Sequence, residues 1–279
     1  MLTSQRKALI LERLARDGQI VAKALAAELG TSEDTIRRDL RELAQAGRLQ
    51  RVHGGALPAS AADGDLRVRT AISTDDKVAL GRAGAALIRS GQVVILDGGT
   101  TALQVARHLS PSLRATIVTH SPTVAIEAAA HPHVEVRMLG GLLFRHSMVN
   151  VGAQVIDAAA RVRADLYFLG VTGVHPEAGL STGDAEEAEV KRALHRQAAE
   201  SIVLASHEKL LAASSFLVAP LAEIARLVVP DDTAPRTIRA LRAAGVAVVT
   251  AGASAAATMD GSEAGPGDRR RGGSRQGHS

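Results

Sequence analysis

The sequence predicts an α/β protein in two units, a small helical module closed by a hairpin and a larger domain built on a mostly parallel sheet. Three observations predict it. Apolar residues recur at helical spacing through residues 4–47, and β-branched runs alternate with Ala-rich stretches after Asp75. Between them, residues 57–74 ("LPASAADGDLRVRTAIST") break both patterns and read as a linker. A chain of 279 residues has room for two domains of modest size, since a domain takes about 100–200 residues.

The composition sets limits on function. Hydrophobic residues make up 46% and mean hydropathy is +0.07, so a buried core is expected. Aromatics are 1%, so that core must be Ala, Val, Leu and Ile. The absence of cysteine excludes disulfides, cysteine-based zinc sites and thiol nucleophiles. No metal site or cofactor is expected. The opening "MLTSQRKALILERLARDG" is charged and amphipathic, unlike a signal peptide. No uncharged apolar run approaches the ~20 residues that span a bilayer, so a cytoplasmic protein without membrane contact is expected. The net charge of +4 is concentrated at the ends: residues 1–58 carry most of the basic excess, and residues 59–258 balance. A segregated basic end suits phosphate contacts.

Each element has a local reason. The first helix covers about 4–16, with Ile10, Leu11 and Leu14 on one face, and stops at Asp17-Gly18. The second covers about 22–29, with Leu25 and Leu29 one turn apart and Gly30 as terminator. The third starts at Ser32, a good N-cap, with Glu33 and Asp34 where the helix dipole favours negative charge, and ends near Gly47. "RLQRVHGG" (48–55) then reads as a strand, a turn and a return. In the larger domain seven strands are expected: 92–97, 115–120, 133–139, 164–170, 201–206, 225–230 and 246–250. This gives a module at 3–58, a linker at 59–74, a larger domain at 75–251 and a disordered basic tail at 252–279, too rich in Gly, Ser and Arg to bury a core.

The third helix can be read as a surface. At 100° per residue, Ile36, Leu40 and Leu43 share a narrow arc, Arg38 and Arg41 lie nearly opposite, and Thr35 and Arg37 flank the exposed side. Asp39 is displaced towards the apolar side, as a structural partner for a nearby cation. Arginine pairs bidentately with guanine edges and with phosphate. The alternative is a solvated face in which Glu33 and Glu42 pair the arginines. Context favours the first: two helices, a glycine-containing turn, a third helix and a basic hairpin are the winged helix–turn–helix order, with helix three in the major groove and the wing on the backbone.

The segment "SEDTIRRDLRELAQAGRLQRVHGGA" (32–56) resembles the DNA-binding signature of DeoR-type bacterial regulators, and Arg6 and Gly18 sit where that signature places them. Val21 and Thr31 depart from it, at a helix cap and at an apolar position. The resemblance implies a double-stranded DNA operator read by Ser32, Thr35, Arg37, Arg38, Arg41, Arg51 and His53. A homodimer or homotetramer is expected from the symmetry of repeated half-sites.

"VVILDGGTTALQVARHL" (93–109) reads as strand, Gly-Gly-Thr-Thr turn and helix. Gly98 and Gly99 let the backbone approach a ligand, and the helix N-terminus with the Thr100 and Thr101 hydroxyls suits an anion such as phosphate. A merely tight turn is the other reading. Asp97 stands at the strand's carboxyl end, where it can accept from sugar hydroxyls or cap the turn, and His120 occupies the next strand end in the same crevice. Glu187 and Lys191 are four apart on one helix, an ordinary ion pair on spacing alone.

The resemblance continues through "GLSTGDAEEAEVKRAL" (179–194) and spans about residues 3–250. It implies an effector domain akin to ribose-5-phosphate isomerase and CoA-transferase folds that binds a phosphorylated sugar. Asp97, Gly99, Thr100, Thr101, Gly141, Asp165, Gly173, Glu187, Lys191 and Lys209 are its matching positions. In "ASHEKLLA" (205–212), Ser206 replaces the family's Asp, and Leu210 and Leu211 replace Phe and Gly. The function implied is a non-enzymatic repressor of a sugar operon, released by a sugar phosphate. A sugar-phosphate isomerase fused to a DNA-binding module is the alternative, although the isomerases' Lys-Gly-Gly-Gly stretch is absent.

Overall fold

The computed structural model describes residues 2–253. The expected tail therefore lies outside the described residues from position 254 onwards. The N-terminal module contains α1 (Thr3–Asp17), β1 (Ile20–Val21), α2 (Ala22–Glu28), α3 (Glu33–Gln45), β2 (Gln50–Val52) and β3 (Gly55–Leu57). Ile10, Leu14, Leu25, Ile36, Leu40 and Leu43 form its core. Ile36 and Leu40 are 0% and 2% exposed, so each is held by roughly 1.5–3 kcal/mol of apolar burial. The wing is a three-stranded antiparallel sheet in the order β1-β3-β2. Its third strand, β1, is two residues long and has no period to reveal it.

Residues 59–74, expected as a linker, are folded against the larger domain. They form a short 3-10 turn at Ala61–Asp63 and α4 (Leu66–Thr70) before α5 (Thr74–Ala86) begins. The Ser60 hydroxyl donates to the Thr172 carbonyl at 2.5 Å, and the Ser214 hydroxyl donates to Asp63 Oδ1 at 2.9 Å. The Leu66 amide donates to the His146 carbonyl at 2.9 Å.

Beyond α5 the chain runs β4 (Val93–Leu96), α6 (Thr100–Arg107), β5 (Thr116–Thr119), α7 (Pro122–Ala128) and β6 (Glu135–Met138). A hairpin, β7 (Leu142–Phe144) and β8 (Val149–Val151), leads into α8 (Ala153–Ala159) and β9 (Ala164–Phe168). Then come β10 (Gly173–His175), β11 (Gly179–Thr182), α9 (Ala185–His195) and β12 (Ala198–Leu204). The last elements are β13 (Phe216–Ala219), β14 (Arg226–Val229), α10 (Pro235–Ala243) and β15 (Val248–Thr250).

The seven expected strands are the seven strands of one parallel sheet, ordered β15-β14-β12-β9-β4-β5-β6. Alternate side chains face opposite layers. Val94 and Leu96 pack with Leu80 of α5 and Val105 of α6, while Ile95 packs with Val155 of α8 and Leu194 of α9. From the β4–β9 pair, strand order runs outward in both directions. That reversal opens a crevice at the carboxyl ends of β4 and β9, where open α/β sheets hold ligands. The shorter strands β10, β11 and β13 make a separate antiparallel sheet between this crevice and the wing.

Candidate functional site

On the module, α3 is built as expected. The Thr35 amide donates to the Ser32 hydroxyl at 3.2 Å, and the Ser32 and Thr35 hydroxyls lie 2.9 Å apart, so both are engaged in the cap. Asp39 is buried and forms an ion pair with Arg6, which ties α3 to α1. Glu33 pairs Arg37 at 2.7 Å, but Glu42 pairs Lys7 instead. Arg38 and Arg41 are exposed and have no ion-pair partner among the described residues. Arg37, Arg41, Arg51 and His53 line one groove between α3 and the wing. A groove walled by three arginines suits a phosphate backbone, and the helix face beside it suits base edges.

The second site fills the crevice. An inner chamber of about 40 Å³ is lined by Gly98, Gly99, Thr100, Thr101, Glu187, Lys191 and Lys209, which joins seven of the positions expected from the sequence. Gly99 has φ +101°, a left-handed conformation that opens the turn before α6, and a Cβ at Gly98 would lie 2.1 Å from the Val149 side chain. The start of α6 and the flanking hydroxyls therefore face the chamber. Lys209 Nζ donates to Thr101 Oγ1 at 3.4 Å, and burial pushes its ammonium down to about 8. Lys77, also buried, donates to the Arg69 carbonyl at 2.6 Å and sits 3.5 Å from Glu208; burial lowers its pKa too.

Asp97 and His120 lie behind the chamber rather than in it. The Asp97 carboxylate is fully buried. It accepts from the Gly98 amide at 2.7 Å, the Tyr167 hydroxyl at 2.6 Å, the Gly170 amide at 2.9 Å and Lys191 Nζ at 3.0 Å. His120 Nε2 lies 2.7 Å from the same carboxylate, and His120 Nδ1 lies 2.8 Å from the Asn150 carbonyl. Burial pushes Asp97 up, but Lys191, His120 and Tyr167 together hold it well below the ordinary carboxylate range. With every direction taken by a donor, Asp97 fixes the turn and aims Lys191; it has no lone pair facing the chamber.

Lys191 and Glu187 do not form the pair their spacing allows. Lys191 turns to Asp97, and Glu187 accepts from the Thr182 hydroxyl at 3.3 Å. Three expected positions lie away from the chamber. Asp165 is at the amino end of β9, where Oδ2 accepts from the Val93 amide at 2.7 Å, so it braces the opposite edge of the sheet. Gly141 leaves room for Val155, and Gly173 lets β10 approach the backbone at Ala212 and Ala213; both are packing positions.

Sequence reasoning missed Arg69, Lys77 and Glu208, the remaining charged residues of the lining. Arg69 and Lys77 sit on the linker and α5, whose sequence has no phosphate-loop pattern. Only the folding of residues 59–74 back onto the crevice reveals them.

A winged helix–turn–helix joined to an α/β domain with a buried cationic crevice defines a DNA-binding transcriptional regulator with a sensor domain. Residues 6–61 match the DeoR-like helix-turn-helix domain and residues 72–231 match the DeoR C terminal sensor domain, and the chain belongs to the DeoR family. The HTH-type transcriptional regulator GlpR of Haloferax volcanii is 35% identical, covering 89% of this chain and 98% of that protein. A putative aga operon transcriptional repressor of Escherichia coli O157:H7 is 31% identical over 90% of this chain and 94% of its own length. The HTH-type transcriptional repressor GlcR of Bacillus subtilis is 31% identical over 82% and 88%. Among solved structures, the sorbitol operon regulator SorC of Klebsiella pneumoniae aligns at 14% identity with a TM-score of 0.34, covering 75% of this chain and 90% of that one. Two of these relatives are named transcriptional repressors, one of them of an aga operon, and this chain is a DNA-binding transcriptional regulator of the same family.

Proposed function

We propose that this repressor leaves its operator when a phosphorylated sugar occupies the β4–β9 crevice, and that it acts as a homo-oligomer in the cytoplasm without catalysing a reaction. One observation carries the reading: the Gly98–Thr101 turn, the start of α6 and the buried Lys209 converge on a single chamber. Backbone amides, a helix dipole and a desolvated ammonium are the donor set of a phosphate site. A second chamber of about 210 Å³ shares Arg69 and Glu187 with the first, has Asp184 and His146 on its walls, and gives the sugar's hydroxyls room.

The isomerase alternative keeps one of its two candidate carboxylates, since Glu187 lines the chamber. Proton transfer to and from carbon needs a carboxylate within reach of substrate and free to accept. Asp165 is at the opposite end of the sheet, so Glu187 would have to serve alone, and activity on pentose phosphates is the measurement that separates the two readings.

The test is operator release. Thr100→Val keeps the shape of the turn and removes a hydroxyl; Lys209→Ala removes a charge. Each should hold the operator normally without effector and release it poorly when sugar phosphates are titrated into the preformed complex. Normal release by both variants would leave the turn as structure only. Weak operator binding by both would assign these residues to folding.

A further inference from the structure

We infer that Arg69, carried by the segment that joins the two domains, is an anion ligand of the crevice, so that occupancy of the site clamps this segment onto the sensor domain. The inference rests on the crevice being the effector site and assigns the route by which the DNA-binding module feels it.

Arg69 Nε and Nη2 are buried and have no hydrogen-bond partner among the described residues. Its Nη1 reaches to 3.7 Å from the position a Cβ would take on Gly99, so the guanidinium overhangs the Gly98–Gly99 turn. It lines both chambers. The other ionisable groups lining the two chambers are Lys77, Lys191, Lys209 and His146 with Glu187, Glu208, Asp63 and Asp184, and one oxygen of Glu208 is likewise buried and unpartnered. A buried guanidinium with open N–H groups is costly until an acceptor arrives, whereas two N–H groups in a fixed plane match two oxygens of a phosphate.

The segment around Arg69 is short and tied at both ends. Upstream, Asp63 accepts from Ser214 and the Ser60 hydroxyl donates to Thr172, only three residues beyond the end of β3. Downstream, Lys77 Nζ donates to the carbonyls of Arg69 and Ile72 at 2.6 and 2.5 Å. Without an anion, docking α4 leaves the guanidinium unpaired, which favours release of the segment. With an anion, the same docking gains a charge-assisted bond. A ligand that binds the docked state better must populate it. Docking holds the wing beside β11 and β13, where Gln50 and Ser215 approach to 3.5 Å.

The test uses the full chain and inorganic phosphate, with chloride at matched ionic strength as reference. Phosphate affinity is read by thermal shift, and exchange of the amides of residues 66–70 by mass spectrometry. Phosphate is expected to slow exchange at 66–70 in the parent. Arg69→Gln should lose that protection and bind phosphate at least tenfold more weakly, and Arg69→Lys should recover part of the affinity. If Lys209→Ala binds weakly but Arg69→Gln binds like the parent, the inference is wrong and the crevice stands. Unchanged exchange at 66–70 in phosphate-bound parent overturns the clamp in the same way. If neither Lys209→Ala nor Arg69→Gln alters binding, the anion site itself is elsewhere. Should Arg69→Gln fail to fold, Arg69→Lys and the parent's exchange decide the matter.

Discussion

Single residues divide into those proposed to read DNA, those that hold charge in the core and those that carry strain. Arg38 is exposed opposite the Ile36/Leu40 face, so Arg38→Ala should leave the melting temperature unchanged. Losing a bidentate base contact should cost about 1–3 kcal/mol of operator discrimination, read by footprinting beside the parent at one salt concentration. Unchanged protection would remove Arg38 from the reading set. Asp97→Asn should behave in the opposite way. It leaves Lys191 buried without its counter-charge, and removing one partner of a buried pair costs about 3–5 kcal/mol. Because folding depresses the Asp97 pKa, its contribution is present above the ordinary aspartate range and is lost as pH falls below it. Parent and variant should therefore converge in stability on acidification. Leu211 has φ +57° where the family resemblance has Gly, so Leu211→Gly should relieve about 1–2 kcal/mol of left-handed strain, partly offset by lost packing. Lys209 offers a further check. It is charged below about 8, so anion affinity should fall as pH rises through that value, and Lys209→Ala should flatten the profile.

Elements were legible where burial imposes a period. The central strands β4, β5 and β14 are buried along almost their whole length, so each is a run rich in Val, Ile and Leu, whereas the edge strand β6, Glu135–Met138, is mostly exposed. The α3 face was legible because its apolar arc and its cap are both local. Strands of two or three residues, such as β1, β7 and β8, are too short to show a period. The segment 59–74 reads as a spacer because its own side chains are small or charged. Its order comes from partners more than 80 residues away, Thr172 and Ser214 among them. The site follows the same division. Gly98, Gly99, Thr100 and Thr101 announce themselves by chemistry, whereas Gly141, Asp165 and Gly173 were matched by pattern and proved to be packing and bracing positions. Gly98→Ala tests the turn as an element. Its added methyl meets Val149, so the sensor domain should lose stability and anion binding together, while a second change, Val149→Ala, restores space and should recover both.

At the scale of the whole molecule, the two domains have separate cores but share the segment between them. The module's core contains no residue beyond Ala56, so residues 1–58 should fold and bind DNA alone. Binding should be weak, because a single module engages one half-site and lacks the avidity of a symmetric assembly. It should also be steeply salt-dependent, since the contacts available to it are mainly arginine to phosphate. Most important, the fragment should ignore sugar phosphates, because every residue lining the crevice lies outside it. The intact chain should respond, and linkage fixes by how much: the factor by which effector weakens operator binding must equal the factor by which operator weakens effector binding. Measuring both titrations on one preparation checks this without knowing the operator's sequence contacts. A fragment that matched the intact chain in affinity would remove the argument from avidity, and a factor of one in both titrations would mean that effector and operator are not coupled.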